Sequence, residues 1–408
     1  MIPVEEALEI VLREAGALPN VEVALDDALS RVLGEDVASD LDLPPFDRAA
    51  MDGYALRAVD VAGAPSALEI VGEVRAGQWP DLTVGPGQAV RIMTGAPLPP
   101  GADSVQQVEE TQPLDEFRVT IRSPVAAGAN VAPRGSEVRA GDVVLGRGRV
   151  IDPSAIAVLA SAGKSRVRVA RRPVVALLVT GDEIVDASLT PAPGQIRNSN
   201  GPAVAAQARL AGATVCLLGV APDRQDAIAQ ALGAGLGADV LVVSGGVSAG
   251  DYDLVEPALL ELGATFFFTR VAVKPGAPLV FGRRSGTLVF GLPGNPVSAQ
   301  VTFDLFVRPA LLKMQGATVV SRPRVAVALL APLRNRSGRT SYQPARVRFE
   351  GGRLVARPLR SMGSGDLAAH ARANALVVIE ADRLQAAAGE TAEAVLLGRF
   401  LEDDGAPI

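Results

Sequence analysis

Three short apolar runs in the second half of the chain, each followed by a loop of small and polar residues, dominate its hydrophobic pattern. The runs cover 174–179, 239–243 and 287–290. β-Branched runs of this length between turn signals are typical of buried parallel strands. Because parallel strands bring their loops to one edge of a sheet, where open α/β sheets bind ligands, the pattern predicts a binding site at that edge.

Helical patterns alternate with these runs and predict a doubly wound α/β domain. The predicted elements are strands 174–179, 214–219, 239–243 and 288–290 and helices 201–211, 223–232, 253–262 and 296–313. A string from Gly233 to Ala238 matches the dinucleotide fingerprint GxGxxA. It follows a helix and precedes a strand, the reverse of a Rossmann loop, so we interpret it as the end of a helix.

The rest of the chain has shorter elements. Residues 4–15 place Ala7, Leu8, Val11, Leu12 and Ala15 on one face and predict an amphipathic helix. A second short helix is predicted from Asp26 to Leu33 with Asp26 as its cap, and another over 153–162 with proline at its first position.

Two segments read as predominantly β. Residues 46–146 contain short strands and turns rich in Gly and Pro, which predicts a small β domain. After residue 324 strands again dominate, with a hairpin over 346–357 that turns at Gly351-Gly352 and a few helical residues near 366–372. A small barrel or sandwich fits this last segment.

Composition narrows the class of protein. With 48% hydrophobic and 21% charged residues the 408-residue chain is globular, and its net charge of −6 argues against nucleic-acid binding. One Cys and one His exclude a disulfide framework and a Cys/His zinc cluster. No apolar stretch reaches membrane-spanning length, and the acidic N-terminus lacks a secretory n-region. The chain is therefore predicted to be cytoplasmic.

The three loops carry chemistry that suits an anion and a hard cation. Glycine-rich loops at strand ends bind phosphates or oxyanions through backbone N–H groups, and Ser244-Gly245-Gly246 and Gly294-Asn295-Pro296 have that character. Acids follow two of the loops, at Glu183 and at Asp251 and Asp253. Magnesium typically takes one or two carboxylates plus ligand phosphate, and Lys274 could supply positive charge. Ordinary tight turns and a solvated surface lysine are the alternative interpretation.

At this point a family becomes recognisable. The chain resembles the molybdopterin molybdenumtransferases, the MoeA and gephyrin E-domain family, over essentially its whole length. The strings that carry the resemblance are Phe46-Asp47-Arg48-Ala49-Ala50-Met51-Asp52-Gly53-Tyr54-Ala55, Ile92-Met93-Thr94-Gly95-Ala96-Pro97, Thr180-Gly181-Asp182-Glu183, Ser244-Gly245-Gly246-Val247-Ser248, Lys274-Pro275-Gly276 and Gly291-Leu292-Pro293-Gly294-Asn295-Pro296-Val297-Ser298. Each string alone is weak, but six in family order are highly specific.

The resemblance implies a reaction and an architecture. Adenylylated molybdopterin and molybdate, with magnesium, would give molybdenum-molybdopterin and AMP. The expected assembly is an elongated homodimer, and the molybdopterin adenylyltransferase is an expected partner. The implied domains are a discontinuous N-terminal domain of 1–45 and 140–171, a small β domain of 46–139, an α/β molybdopterin-binding domain of 172–320 and a C-terminal β domain of 321–408. Two-fold dimers are the commonest oligomers, and the predicted interface includes the N-terminal helices and the α/β domain. The reasons are the amphipathic 4–15 helix and the division of the active-site motifs between two domains.

Functional positions follow from the resemblance residue by residue. The implied catalytic residues are Asp52, Thr94, Glu183 and Lys274. The implied metal-binding residues are Asp223, Asp253 and Glu137. The implied substrate-binding residues are Ser244, Gly245, Gly246, Pro293, Gly294, Asn295, Pro296, Ser298, Arg346 and Ser364.

The chain departs from the family pattern at three positions. Ala277 stands where the family has a second Lys, Glu137 where it has Asp, and Pro344 where it has an Arg implied in molybdate binding; Arg346 is the next residue on that strand face. These departures favour an alternative, a catalytically weak paralogue that binds molybdopterin or acts as a scaffold, whereas the intact Glu183, Asp223, Asp253 and Lys274 oppose it. A generic α/β nucleotide-binding enzyme is a more distant alternative. Molybdate and tungstate are nearly isosteric, so the sequence does not distinguish them.

Overall fold

The computed structural model describes residues 1–246 and 254–398. None of the helices in this part of the chain has the length and apolar character needed to cross a bilayer.

The first 170 residues form an N-terminal region with the small β domain inserted into it. Their elements are α1 (Val4–Glu14), β1 (Asn20–Ala24), β2 (Val37–Ala38), β3 (Arg48–Ala49), β4 (Gly53–Leu56), β5 (Ser66–Val74), β6 (Gln88–Ile92), β7 (Ser104–Gln107), β8 (Thr111–Pro113), β9 (Arg118–Ile121), β10 (Val131–Ala132), β11 (Val143–Leu145), α2 (Pro153–Ser161) and β12 (Arg166–Ala170). The insertion is built on a six-stranded sheet of order β7-β4-β6-β5-β9-β8.

The segments on either side of the insertion pack on each other. β1 pairs antiparallel with β12, and β2 pairs antiparallel with β11. Their apolar side chains form one cluster with α2, which includes Leu33, Ile151 and Leu159. Asp152 caps α2, because its Oδ1 accepts a hydrogen bond of 2.7 Å from the backbone N–H of Ala155.

The predicted helix from Asp26 to Leu33 is wrong. Only Leu25–Asp27 forms a 3₁₀ turn, without a side-chain cap, and Ser30 has a φ of 62° that ends any helical path. The backbone then turns to pair with the segment before α2: Ser30 N donates to Ile151 O at 2.8 Å and Leu33 N donates to Arg149 O at 2.9 Å. These tertiary hydrogen bonds override a weak local helical preference.

The amphipathic helix α1 forms as predicted, but its apolar face is already covered within the same chain. Val4, Ala7 and Val11 are buried in the cluster that holds the core of the α/β domain. Arg283 reinforces this docking through a salt bridge of 2.9 Å to Glu14. Most of the apolar face of α1 thus has a partner within its own chain, so its amphipathic pattern alone does not indicate a dimer interface, and the homodimer stays a prediction.

The central α/β domain follows. Its elements are β13 (Val174–Thr180), β14 (Ile184–Val185), β15 (Ile196–Arg197), α3 (Asn200–Leu210), β16 (Thr214–Ala221), α4 (Gln225–Gly235), β17 (Val240–Ser244), α5 (Val255–Glu261), β18 (Thr265–Arg270), β19 (Val273–Lys274), β20 (Pro278–Arg284), β21 (Thr287–Leu292), α6 (Pro296–Thr302) and α7 (Arg308–Met314). The main sheet has the order β16-β13-β17-β21-β20-β18. Its first four strands are parallel, and β20 and β18 extend it antiparallel.

Helices cover both faces of this sheet, as the doubly wound prediction requires. On β13, Val175 and Leu177 point to the face covered by α3, α6 and α7, whereas Ala176 and Leu178 point to the face covered by α4 and α5. The predicted helix over 296–313 contains a π-helical stretch, Phe303–Val307, between α6 and α7. Pro309 lies just after this stretch and lacks the N–H that a regular α-helix would use there.

The C-terminal domain is a closed barrel rather than a sandwich. Its elements are β22 (Arg324–Leu329), β23 (Leu333–Arg334), β24 (Thr340–Glu350), β25 (Arg353–Pro358), α8 (Leu367–Arg372), β26 (Ala375–Ile379), β27 (Gln385–Ala386) and β28 (Thr391–Leu396). Five strands run in the order β24-β25-β22-β28-β26, and pairing of β26 with β24 closes the barrel. The fold class predicted from the sequence, α/β plus β with a barrel-like C-terminal domain, is confirmed.

Two backbone contacts join the barrel to the ligand-binding edge of the α/β domain. β19 pairs parallel with the start of β24, with Val273 opposite Thr340 and Lys274 opposite Ser341. Val297, at the start of α6, donates its N–H to the carbonyl oxygen of Ser364 at 3.0 Å. The loop ends of the sheet therefore face a wall contributed by the barrel.

Candidate active site

A cavity of about 850 Å³ lies at the carboxyl ends of the parallel strands, between the α/β domain and the barrel. The three loops predicted from the sequence all contribute to its walls. The predicted site residues that line it are Glu183, Asp223, Ser244, Gly245, Gly246, Lys274, Pro293, Gly294, Asn295, Pro296, Ser298 and Ser364. A concave site with a few convergent polar groups is the usual form of a small-molecule pocket.

A buried polar contact holds two of the loops together. Asn200, at the start of α3, donates through Nδ2 to the Oγ of Ser244 and to the carbonyl oxygen of Gly294, each at 2.8 Å. Ser244 is 1% exposed and Asn200 is 9% exposed. Since unmade buried hydrogen bonds are costly, this contact fixes the relative position of the Ser244 and Gly294 loops.

Glycine is required where the loop after β17 passes the loop after β13. Gly245 has a φ of 100°, and a Cβ there would stand 2.6 Å from the carbonyl oxygen of Thr180. The Oγ1 of Thr180 is also close, is buried, and has no hydrogen-bond partner among residues 1–246 and 254–398. Only a residue without a side chain permits this close backbone approach.

The acidic side of the cavity consists of Glu183 and Asp223. Gly181, with a φ of 142°, leaves room for the Glu183 carboxylate, since a Cβ there would lie 2.6 Å from Glu183 Oε2. Asp182 supports the neighbouring loop by accepting a hydrogen bond of 3.0 Å from the backbone N–H of Asp223. Within the described residues, neither the Glu183 nor the Asp223 carboxylate makes a hydrogen bond or salt bridge, so both remain able to bind a ligand.

The basic side faces the barrel. Lys274 comes from β19, and Arg339 comes from the turn that precedes β24. Ser364 reaches the same cavity from the loop before α8, held there by its contact with Val297. Arg197 also lines the cavity, with its Nε bonded to the carbonyl oxygen of Leu189 at 2.8 Å.

Asp52 and Thr94 lie together, but in the small β domain and outside the lining of this cavity. Asp52 Oδ1 accepts hydrogen bonds from the backbone N–H of Thr94 at 2.7 Å and from its Oγ1 at 2.8 Å. These two bonds lower the pKa of Asp52 below its ordinary value. The structure thus joins two predicted catalytic residues into one unit without bringing that unit to the pocket of the same chain.

Glu137 does not meet the predicted metal ligand Asp223. It lies near the small β domain, where its Oε1 accepts a hydrogen bond of 3.0 Å from Arg48. A single chain therefore does not bring Glu137 to Asp223, and the metal-binding role of Glu137 stays a prediction. The physical reason is that the motif of Glu137 belongs to the inserted region, whereas Asp223 follows a strand of the α/β sheet.

Arg346 is likewise not among the residues that line the cavity. It lies five residues beyond Ser341 along β24, opposite Arg357 of β25, whereas the pocket meets only the start of that strand. Alternation along the strand gives the face on which Arg346 lies but not how far the cavity extends, and the substrate-binding role of Arg346 stays a prediction. Asp253 lies outside the described residues.

Sequence reasoning missed Asn198, Ser199, Asn200 and Arg339, all of which line the cavity. Asn198, Ser199 and Asn200 form a polar run immediately before the predicted helix 201–211, where side chains commonly hydrogen-bond exposed backbone groups. This run was a usable signal. The sequence signal for Arg339 was weaker: it is a basic residue that follows a glycine just before a predicted strand.

Glu183 and Asp223 are carboxylates of the kind that bind magnesium. Two carboxylates without protein partners in one cavity match the donor set that magnesium takes together with ligand phosphates and water. No group of three or more His, Cys, Asp or Glu side chains suited to a metal occurs among the residues that the structure describes. The protein side of such a site would thus be Glu183 and Asp223, with the remaining positions left to the ligand.

Comparison with known protein families finds three matches in chain order. Residues 2–163 match the MoeA N-terminal region (domains I and II), residues 176–313 match a probable molybdopterin binding domain, and residues 326–397 match the MoeA C-terminal region (domain IV).

Individual relatives agree over the whole length. The chain is 35% identical over 400 residues to a molybdopterin molybdenumtransferase of Staphylococcus aureus, covering 97% of this chain and 95% of the relative. It is 32% identical over 400 residues, with the same coverage, to one of Staphylococcus epidermidis. A crystal structure of the molybdopterin biosynthesis MoeA protein from Pyrococcus horikoshii OT3 superposes with a TM-score of 0.82 at 30% identity, covering 97% of this chain and 100% of that one.

Proposed function

The chain belongs to the MoeA family of molybdopterin molybdenumtransferases, and from this premise we propose that its inter-domain cavity inserts molybdenum from molybdate into adenylylated molybdopterin, with release of AMP. It is a transferase of molybdenum cofactor biosynthesis. The observation that carries the proposal for this cavity is the convergence of an acidic pair and a basic wall on a space of about 850 Å³.

Each part of the cavity has a role in this reaction. The loops around Gly245 and Gly294 are the ligand cradle, because close-packed backbone can approach a phosphate or oxyanion. Lys274 attracts the anionic molybdate in a protein whose net charge is −6. Glu183 lies where it can accept a hydrogen bond from a water molecule or bind a cation that a phosphate oxygen shares, and the barrel closes the cavity through Ser364.

We propose magnesium as the cofactor, held by Glu183 and Asp223 on the protein side. When bound, it would neutralise charge on the phosphates of the adenylylated substrate. Asp182 acts indirectly, because its hydrogen bond to the backbone of Asp223 keeps that carboxylate at the cavity.

We further propose a homodimer in which Asp52 and Thr94 of one copy act at the cavity of the other. The support is geometric: the unit that they form does not line the cavity of its own chain. Light scattering at micromolar concentration should give the mass of a dimer, and a monomer would refute this part of the proposal.

Mixed variants test the shared site directly. A chain with Asp52→Ala and a chain with Glu183→Gln should each have strongly reduced turnover alone. Mixing after dissociation should restore activity, because one cavity of each heterodimer is intact. Refolding each variant alone is the control. Absence of recovery in a verified heterodimer would show that the two residues act within one chain or not at all.

The test of the function is AMP release. The purified protein should release AMP from adenylylated molybdopterin only when molybdate is added. Tight molybdopterin binding without AMP release would instead support the scaffold alternative, and ATP binding independent of any pterin would support a generic nucleotide-binding enzyme. Repeating the assay with tungstate determines the preferred oxyanion. The cytoplasmic location and the partnership with the molybdopterin adenylyltransferase stay predictions.

A further inference from the structure

We propose that Arg339 is the second cationic contact for molybdate in this chain, so that the oxyanion binds between Lys274 of the α/β domain and Arg339 of the barrel. This inference rests on the proposed function and assigns a residue that the sequence motifs did not indicate. It predicts that the oxyanion subsite lies at the junction of the two domains.

The backbone brings Arg339 to the cavity that Lys274 lines, two residues before the partner of Lys274 on β24. Lys274 is opposite Ser341 in the parallel pairing of β19 with β24, and Val273 is opposite Thr340. Thr340 also donates its N–H to the carbonyl oxygen of Ala272 at 3.0 Å. Arg339 directly precedes Thr340 and lines the same cavity as Lys274, so two positive side chains enter the cavity from adjacent strand ends.

The turn that carries Arg339 is rigid. Asn335 is completely buried, and its Nδ2 donates to the carbonyl oxygens of Arg339 at 2.8 Å and of Glu380 at 3.0 Å. Its Oδ1 accepts from the Oγ of Ser337 at 2.6 Å. A buried amide with this many satisfied bonds fixes the backbone of Arg339 before any ligand arrives.

The side chain of Arg339, in contrast, is unused by the protein. It is half-buried, and within residues 1–246 and 254–398 its guanidinium makes neither a hydrogen bond nor a salt bridge. Arg197, the other arginine of the cavity, already donates to the carbonyl oxygen of Leu189. A positioned guanidinium without a protein acceptor is suited to bind an anion from solution.

Two positions at which the chain departs from the family pattern, Ala277 and Pro344, contribute no charge here. Ala277 lines the cavity next to Gly276, is 4% exposed and carries no charge. Pro344 lies further along β24, paired with Leu376 of the barrel. A tetrahedral dianion bound by Lys274 alone would be incompletely neutralised, whereas the fork of Arg339 can donate two parallel hydrogen bonds to adjacent oxygens.

The experiment is a molybdate titration of AMP release with three variants. Arg339→Gln removes the charge and retains a polar side chain, Arg339→Lys retains the charge without the fork, and Arg336→Gln removes an exposed arginine of the same turn that does not line the cavity. Thermal unfolding of each variant checks the fold.

We expect Arg339→Gln to raise the apparent KM for molybdate by about ten- to a hundredfold, as loss of a charged hydrogen bond does, with little change in affinity for adenylylated molybdopterin. Arg339→Lys should recover part of the loss, and Arg336→Gln should titrate like the parent. The KM increase should shrink at high ionic strength, because salt screens the attraction that was removed.

Two results would overturn the assignment. If Arg339→Gln is folded and titrates like the parent, Arg339 does not contact the oxyanion. If instead it weakens binding of adenylylated molybdopterin and leaves the molybdate KM unchanged, Arg339 belongs to the pterin or phosphate subsite. Failure of the proposed function would be distinguishable, because the parent protein itself would then release no AMP. In that case calorimetry with molybdate alone would compare the affinities of the parent and of Arg339→Gln. Equal affinities would refute the role of Arg339.

Discussion

The inter-domain cavity and the small β domain both contain carboxylates from the family motifs, but these carboxylates differ in their hydrogen-bond partners. In the cavity, Glu183 and Asp223 have no protein partner for their carboxylates among the described residues, although the loops that carry them are firmly held. In the small β domain, Asp52 is hydrogen-bonded twice by Thr94, and Glu137 is bonded by Arg48. The carboxylates of the cavity depend on a ligand for their partners, whereas those of the small β domain already have partners within that domain.

The largest effect should come from removing the positive charge of the cavity. Lys274→Ala is expected to abolish oxyanion-dependent AMP release, because Lys274 attracts the anion from an overall acidic protein. Lys274→Arg should rescue this only partly, since a planar fork does not replace a compact ammonium. The measurement is turnover against molybdate concentration at two ionic strengths.

The matched control for this change is Lys313→Ala, which removes an exposed lysine of α7 outside the cavity. Titration of Lys274→Ala like the parent at both ionic strengths would make Lys274 an ordinary surface residue. The cavity would then lack the positively charged group that this comparison assigns to it.

Next in size is the effect of the acidic pair. Glu183→Gln should reduce turnover by roughly a hundredfold or more, as loss of a positioned acid–base group does. The thermal midpoint should remain nearly unchanged, because the carboxylate is exposed and unbonded in the described structure. Kinetics and calorimetry on the same preparation check both expectations, with Glu9→Gln on the exposed side of α1 as control. A comparable loss of stability would identify Glu183 as a structural carboxylate.

A gain of function should be smaller. Ala277→Lys adds a cation to the cavity wall and should lower the molybdate concentration needed for half-maximal turnover by several-fold, about the effect of one partly exposed charge pair. Because Ala277 is 4% exposed, the new side chain must extend into the cavity rather than pack inward. An unchanged or higher molybdate requirement in a stable variant would show that the wall at this position does not face the anion.

The smallest effect concerns pH and the Asp52–Thr94 unit. The two hydrogen bonds from Thr94 lower the pKa of Asp52, so their contribution to stability is present above the ordinary carboxyl pKa and is lost as pH falls through the lowered value. Thr94→Val should therefore raise the pKa of Asp52, which NMR titration would measure, with only a slight change in unfolding because Asp52 is exposed. An unchanged pKa would show that the backbone N–H of Thr94 alone accounts for the shift.

Much of the α/β domain was predictable because its signals are local. Buried parallel strands require continuous apolar runs, and their loops require glycine, so β13, β17 and β21 and the loops that follow them could be read directly. The signal that ends α4 at Gly235 was also local, and the GxGxxA string does lie at the end of a helix, as predicted. The antiparallel strands β18 and β20 were not predicted, since a hairpin at a sheet edge has no equally distinctive pattern.

The sequence by itself thus determined the family, the doubly wound sheet and the residues of three ligand-binding loops, because strand periodicity and loop composition are properties of neighbouring residues. Only the tertiary structure decided which distant segments meet. It turned residues 30–33 towards 149–151 instead of into a helix, covered α1 with the α/β core, and bonded Asp52 to Thr94 away from the cavity. It also placed Arg339 rather than Arg346 in the lining of the cavity that Lys274 shares, because the register of β19 on β24 determines which part of the barrel reaches the cavity.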